Sequence, residues 1–438
     1  MPENIKTLLI NVLKPLAVLI AAVLLWLNLP TSKPTLTLMM GETDGFEFVA
    51  STSEPASGEI PTPSPSSTIP TTLKYSAEEV VEVETVMPSF KGARVGKYPD
   101  ALLPTMTITP GKKYWVDITG LTAGEYNVTI LGQAVYIKVV PQKFVWPLPL
   151  YMEMQFAQIA RAYNLADQGS TFPQRLSLAK YYANRLRAHG IEPMKHAVTV
   201  YPDTTFKNLN WNELVLDGRI APPVLFGPAP TLPPSTALLQ AIEAAIKAGT
   251  LPKDSLAYSW DEGEGNTLTT AQAVARVNAI RASAPSLKQF ITRRPDPQFG
   301  NVIFIPVLNW FVPGAAIYTN MMSGFGLYIS CMSNGNCQNK TSADQVAPAT
   351  TFPMAVLDAP ETDPQKFVEQ SAAFGASMLL YFNTTQRMPT ALDVGGQYNE
   401  GGNGDGTLLY PQGGVSRRLK FFRRGLNNVA WKKAGLTR

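Results

Sequence analysis

The sequence predicts an α/β protein: a (β/α)8 barrel behind a small all-β sandwich, with a membrane anchor at the N-terminus. Three observations predict it. Residues 7–29 are almost wholly apolar. Between Lys74 and Val140, short runs alternate apolar and polar residues and are punctuated by Gly and Pro. From Leu148 onward, apolar strand-like runs alternate with helical periodicity, the rhythm of β/α units.

The anchor comes first. Thr7–Leu29 is interrupted only by Asn11, Lys14, Pro15 and Asn28. Its uniform part, Leu16–Leu27, is shorter than the ~20 residues of a full span. It reads as an anchor helix that takes in Lys14, or as the core of a cleaved signal. No small-x-small cleavage pattern follows, which favours the uncleaved anchor. Either reading puts the bulk of the chain outside the cytoplasm, in the periplasm or at the cell surface. Residues 31–73 form an extended segment, rich in Pro, Ser and Thr over 53–70; such composition cannot build a core. Thr35–Ser51 within it is a candidate strand.

Residues 74–145 form the sandwich. Val80–Val86, Tyr114–Ile118, Tyr126–Ile130 and Val135–Val139 alternate with period two, as half-buried strands do. Residues 146–438 form the barrel and a basic C-terminal helix. Its expected strands are Leu150–Phe156, Ala197–Tyr201, Pro223–Phe226, Ser255–Trp260, Leu287–Thr292, Val302–Pro306, Gly326–Ser330 and Met378–Phe382. Expected helices between them include Pro173–His189, Pro234–Ala248, Thr269–Ala284 and Pro364–Phe374. Eight strands over ~250 residues match a barrel. An open doubly wound sheet is the competitor, but no Gly-x-Gly-x-x-Gly follows the first strand.

Composition narrows the function. The chain has 438 residues, 45% hydrophobic and 16% charged, enough for a sizeable core. The net charge of +4 rests on the tail: residues 417–438 carry eight Lys/Arg and no acid, leaving −4 for the rest. There is no basic stripe, finger spacing or Walker loop, so nucleic acid is not an expected partner. Leu419, Phe422, Leu426 and Val429 recur at near-helical spacing in the tail, giving a packed helix with a solvated charged face, or a contact for anionic lipid or acidic glycan.

The two cysteines, Cys331 and Cys337, are close, with a turn-forming Ser-Asn-Gly-Asn between them. In an oxidising compartment they would form a disulfide; otherwise they are free thiols. No Cys/His set completes a zinc site. Gly404-Asp405-Gly406 lacks the spaced oxygens of a calcium loop and reads as a tight turn, so no metal and no cofactor is expected.

Chemistry concentrates at Asp261 and Glu262. They follow the expected strand Ser255–Trp260 and open a glycine-rich loop, Gly263–Thr267. Barrel enzymes carry their catalytic groups at such strand ends, and paired carboxyls suit glycoside hydrolysis. The plain alternative is a helix N-cap, because acids favour the positive end of a helix. Tyr258, Trp260 and Trp310 are candidates for an apolar wall and a sugar-stacking face. Asn309-Trp310 ends the expected sixth strand; Trp there stacks on sugar or serves the core. Tyr328 is a candidate hydrogen-bond donor to a sugar, and Glu153, at the end of the first strand, binds hydroxyls or forms a salt bridge.

Several motifs resemble family-123 glycoside hydrolases. They are Tyr98–Pro104, Lys113–Asp117 and Thr122–Ile130; Ser259-Trp-Asp-Glu262; Leu327–Cys331 and Ala376–Phe382; and Gly401–Pro411 followed by Val415–Gly425. The resemblance runs in order from about Val80 to Val429. It implies a sandwich plus barrel and the substrate-assisted removal of terminal β-linked N-acetylhexosamine, N-acetylgalactosamine above all. Asp261 would hold the substrate's acetamido N–H, and Glu262 would protonate the leaving oxygen. Tyr381 and Asn383 would lie at the eighth strand end as substrate-binding residues, though Phe382-Asn383 stands where the family usually has Trp; the helix after Gly425, usually acidic, is basic here. These departures leave a non-catalytic, membrane-anchored glycan-binding or surface assembly protein as the alternative.

Overall fold

The computed structural model describes residues 33–62, 71–85, 96–154, 156–165, 172–194, 236–251, 253, 255–260, 268–292, 296–304, 326–329, 362–373, 375–381, 384–385, 388–389, 391–392, 397–398, 402–403 and 407–438.

The N-terminal part is a two-sheet sandwich. Its strands are β1 (Thr35–Met40), β2 (Thr43–Val49), β3 (Ser57–Thr62), β4 (Thr71–Thr85), β5 (Gly96–Pro104), β6 (Lys113–Gly120), β7 (Gly124–Ile130) and β8 (Gln133–Lys143). One sheet has the order β1-β8-β7. The other is antiparallel: β5, β4, β6 and β2 pair in turn, β3 adds to β4, and a two-residue strand from the far end of the chain pairs with β5. The segment 31–73, extended by composition, thus supplies three strands. Leu36, Leu38, Leu73, Val116, Ile118, Val135, Ile137 and Val139 fill the space between the sheets.

β6 explains how the sandwich joins the rest. Tyr114, Val116 and Ile118 face the sandwich core. Trp115 and Asp117, on the alternate face, meet the C-terminal helix instead: Trp115 packs edge-on against Phe421 at 5.5 Å between ring centroids, and Asp117 pairs with Lys420 and Arg423. The strand is therefore buried on both faces.

Seven parallel strands follow: β9 (Leu150–Glu153), β10 (Ile191–Met194), β11 (Leu256–Trp260), β12 (Lys288–Ile291), β13 (Ile303–Phe304), β14 (Gly326–Ile329) and β15 (Met378–Tyr381). Helices α1 (Phe156–Ala162), α2 (Phe172–Arg187), α3 (Thr236–Lys247), α4 (Thr270–Ser283) and α5 (Thr362–Ala373) lie between them. Short pairs β16 (Gln397–Tyr398) with β17 (Gly402–Asn403), then β18 (Val415–Ser416), lead into α6 (Arg417–Lys433).

The expectation of a closed (β/α)8 barrel is overturned. Among the described residues the parallel strands fall into two sheets, β10-β9-β15-β14 and β11-β12-β13, and no ladder joins them. The alternation of strand and helix that suggested a barrel is met equally by open sheets; closure depends on pairing between distant strands, which local patterning does not encode. The two sheets nevertheless share apolar contacts, with Tyr151, Met378 and Leu380 packed against Leu256, Tyr258 and Phe290.

The expected strands Ala197–Tyr201 and Pro223–Phe226 lie outside the described residues, and one strand was not expected, Ile191–Met194. Pro193 hid it, because proline argues against a central strand; β10 is an edge, where proline is tolerated. No helix among the described residues is long and apolar enough to cross a membrane, and the anchor expected over residues 1–30 lies outside them.

The basic tail reverses its expected character. Leu419, Phe422, Leu426 and Val429 do pack inward. But Arg418, Lys420 and Arg423 are buried as well, so the charged face of α6 is an interface with the acids of the sandwich. Gly425 lets α6 approach α5: a Cβ there would lie 2.9 Å from Gln365 O and from Val368 Cβ.

Candidate active site

The strands within each parallel sheet run the same way, so their C-terminal ends collect on one side. β11 carries the residues that lead to Asp261 and Glu262. All five of its residues are buried, and the hydroxyls of Tyr258 and Ser259 are held by neighbours. Tyr258 Oη lies 2.8 Å from Thr292 Oγ1, and the Tyr258 ring stacks on Phe290 at 4.5 Å. Ser259 Oγ donates to Gln289 Oε1 at 2.7 Å, while Gln289 Nε2 donates to the Val277 carbonyl of α4 at 3.1 Å. The strand is thus tied to β12 through both faces and, through Gln289, to the helix behind.

A register shift between Tyr258 and Trp260 separates these two rings. Tyr258 joins the cluster between the parallel sheets. Trp260 packs with Leu268, Val277 and Ile291 and stacks on Phe299 at 5.6 Å. The wall expected from Tyr258 and Trp260 together is therefore two separate contacts.

Helix α4 has its own cap. Its cap is Thr269, seven residues past Glu262: Thr269 Oγ1 accepts from Gln272 N at 3.3 Å, and Gln272 Oε1 accepts from Thr269 N at 2.8 Å. This reciprocal box satisfies the helix start, and its first turn contains no acid. Asp261 and Glu262 do not cap this helix.

The other expected site residues divide by position. Glu153 ends β9, in register with Met194. Tyr328 lies on β14 opposite Leu380 of β15. Tyr381 ends β15 and is buried, its ring 5.4 Å from Phe422 of α6; it belongs to the core beneath α6. Asp261, Glu262, Asn309, Trp310, Asn383, Cys331 and Cys337 lie outside the described residues. Among the described residues no group of three or more His, Cys, Asp or Glu could hold a metal ion.

Sequence reasoning missed Thr292 and Gln289. Both are buried polar residues on or beside β12, and a polar residue inside an apolar run was the available signal. It also missed a buried knot that ties three of the recognised motifs together. Asp100 accepts from Tyr410 Oη at 2.8 Å, from Ser416 Oγ at 2.8 Å and from Arg418 Nε and Nη2 at 3.2 and 3.1 Å. Tyr98–Pro104, Gly401–Pro411 and Val415–Gly425 are thus joined through one carboxylate.

No family model matches the sequence, and no curated protein matches it. The structure does match a solved one: a family 123 glycoside hydrolase from Clostridium perfringens, described in a study of glycolipid glycan hydrolysis. The two superpose with a TM-score of 0.57, over 93% of this chain and 85% of that one, at 12% sequence identity. The chain shares the fold of a family 123 glycoside hydrolase. The likeness is one of fold, reached independently of the motifs that first suggested the family.

Proposed function

We propose that the chain is a glycoside hydrolase that removes terminal β-linked N-acetylhexosamine, with N-acetylgalactosamine the first candidate, by substrate-assisted retaining catalysis. The observation that carries this reading is the fold likeness to a family 123 glycoside hydrolase over 93% of the chain, joined to an adjacent Asp-Glu pair directly after β11. Exclusion of that pair from the cap of α4 supports it further.

In this mechanism the acetamido oxygen of the substrate attacks the anomeric carbon as the glycosidic bond breaks. Glu262 gives its proton to the departing oxygen, and Asp261 accepts a hydrogen bond from the acetamido N–H while positive charge spreads over the forming oxazolinium ring. Water then opens that ring, and Glu262 takes back a proton. A general acid needs an elevated pKa, which a neighbouring carboxylate and apolar surroundings provide. The interlocked Tyr258–Thr292 and Ser259–Gln289 contacts would hold the strand beneath the pair fixed. The long apolar run before residue 30 supports a place of action outside the cytoplasm, which protease accessibility in intact cells would check.

The test is turnover by the purified protein. Aryl and oligosaccharide substrates ending in β-linked N-acetylgalactosamine or N-acetylglucosamine should be cleaved, and a thiazoline mimic of the oxazolinium should inhibit competitively. Asp261→Asn should abolish cleavage even of activated aryl substrates. Saturable glycan binding with no turnover would instead support the non-catalytic glycan-binding or surface assembly protein.

A further inference from the structure

β11 and β12 do not run in step. Lys288 N donates to the Ser255 carbonyl and Thr292 N to the Trp260 carbonyl, both at 3.1 Å. The two acceptors are five residues apart and the two donors four. β11 thus carries one residue more than its partner over this span. Tyr258 stands opposite Phe290 and Trp260 opposite Ile291, with Ser259 unmatched between them. This is a β-bulge, a feature uncommon between parallel strands and over-represented beside active sites.

The bulge resets the alternation of side chains. Leu256 and Tyr258 face the cluster between the two parallel sheets, and Ala257 joins Ile242 of α3 and Ile280 of α4 on the other side. Period two would return Trp260 to the side of Tyr258. Trp260 instead packs with Ala273 and Val277 of α4. Ser259 takes that side too, through Gln289, whose amide reaches the Val277 carbonyl. Two successive residues therefore face α4, and the chain leaves β11 with its faces exchanged relative to an unbroken strand.

Two residues opposite hold this offset. Thr292 grips both flanks: its Oγ1 lies 2.8 Å from Tyr258 Oη, before the bulge, and its N–H holds the Trp260 carbonyl, after it. Gln289 holds the extra residue, accepting from Ser259 Oγ at 2.7 Å. Ser259, Gln289 and Thr292 are all buried, where a hydrogen bond is electrostatically stronger than in water. The Trp260 carbonyl belongs to the peptide bond that Asp261 completes. Thr292 therefore fixes the last planar unit before the acid pair.

We propose that Thr292 is a positioning residue for catalysis, and that the bulge it clamps sets the direction in which the Asp261-Glu262 pair is presented to substrate. The proposal rests on the glycosidase reading and adds to it a buried residue that acts through the strand. A displacement of about 1 Å at a reacting group can cost about 100-fold in rate. Loosening the bulge should therefore show first in turnover.

Purified full-length wild type, Thr292→Val, Thr292→Ser and Gln289→Met are assayed on an aryl and an unactivated β-N-acetylhexosaminide, well below their unfolding midpoints. Thr292→Val keeps the N–H and removes the hydroxyl. It should lower kcat roughly 10- to 100-fold on both substrates, with KM within about twofold of wild type. The inhibition constant of a thiazoline mimic of the oxazolinium should rise as kcat/KM falls. Thr292→Ser, which retains the hydroxyl, should recover most of the rate. Gln289→Met, which frees Ser259, should lose rate in the same way, and it decides on the same criteria if Thr292→Val does not fold. A folded Thr292→Val with wild-type kcat, a loss confined to KM, or a loss that Thr292→Ser does not recover would overturn the proposal while leaving the glycosidase reading intact. A wild type that neither turns over substrate nor binds the thiazoline would remove that reading, and this proposal with it.

Discussion

The junction between the sandwich and α6 and the end of β11 are both buried and both polar, but they hold their polarity differently. The junction is ionic. Arg418 meets Asp100, Lys420 meets Glu78 and Asp117, and Arg423 meets Asp117, all nearly without solvent. The end of β11 is neutral: a tyrosine on a threonine, a serine on an amide, and stacked rings. A buried charge left alone costs several kcal/mol, so each charge at the junction fixes the position of its partner. The ionic contacts therefore set how α6 docks on the sandwich. The neutral contacts make a rigid support with little fixed charge of its own, the surroundings in which an adjacent acid pair could divide into one ionised and one protonated member.

Substitutions should separate the two regions. The largest effect is expected at the strand end: Glu262→Gln should lower kcat/KM on an unactivated glycan roughly 10²–10⁴-fold. Its midpoint of thermal unfolding should stay close to wild type; a large fall would assign Glu262 to stability and erase the contrast. At the junction the expected loss is in stability. Arg418→Met strands the Asp100 carboxylate and should cost about 3–5 kcal/mol in urea unfolding. Asp100→Leu combined with Arg418→Met should recover part of that, since it removes both charges.

Next is Gly425→Ala. The added methyl would press on Gln365 O and Val368 Cβ where α6 crosses α5, and overpacking of this kind costs about 1–3 kcal/mol. Denaturation would measure the loss, with kcat unchanged.

The smallest effect is one of pH. His189 remains neutral in the folded chain well below 6.5, while the unfolded chain takes up a proton there. The unfolded state then binds more protons, so stability falls as pH drops below 6.5, by up to about 1.4 kcal/mol per unit. Asp117 adds a loss of the same sign further down, because the folded carboxylate resists protonation below its ordinary 3.8. Urea midpoints between pH 7 and 5 should show the His189 component, and His189→Asn should flatten it.

Much of the element content was legible in the sequence. Period-two alternation marked Tyr114–Ile118 and Val135–Val139, and helical periodicity marked the segments that became α2 to α5. Those patterns follow from one rule: a half-buried element repeats its apolar residues with its own geometric period. Ile191–Met194 escaped that rule, because it is only four residues long and carries a proline. The acid pair could be singled out because two adjacent carboxyls at the end of an apolar strand stand out locally.

What the sequence by itself determined was therefore local: which segments are strands and helices, where chemistry-bearing residues cluster, and a set of motifs resembling one hydrolase family. Only the tertiary structure decided that the described parallel strands form two sheets and not a closed barrel, that Thr269 caps α4, and that the basic face of α6 is buried. The reason is shared. Each depends on partners far away in the chain: Asp100 and Arg418 meet across 318 residues, and neither residue's neighbours record the other. A run of positive charge looks solvated until the acids that cover it are in place.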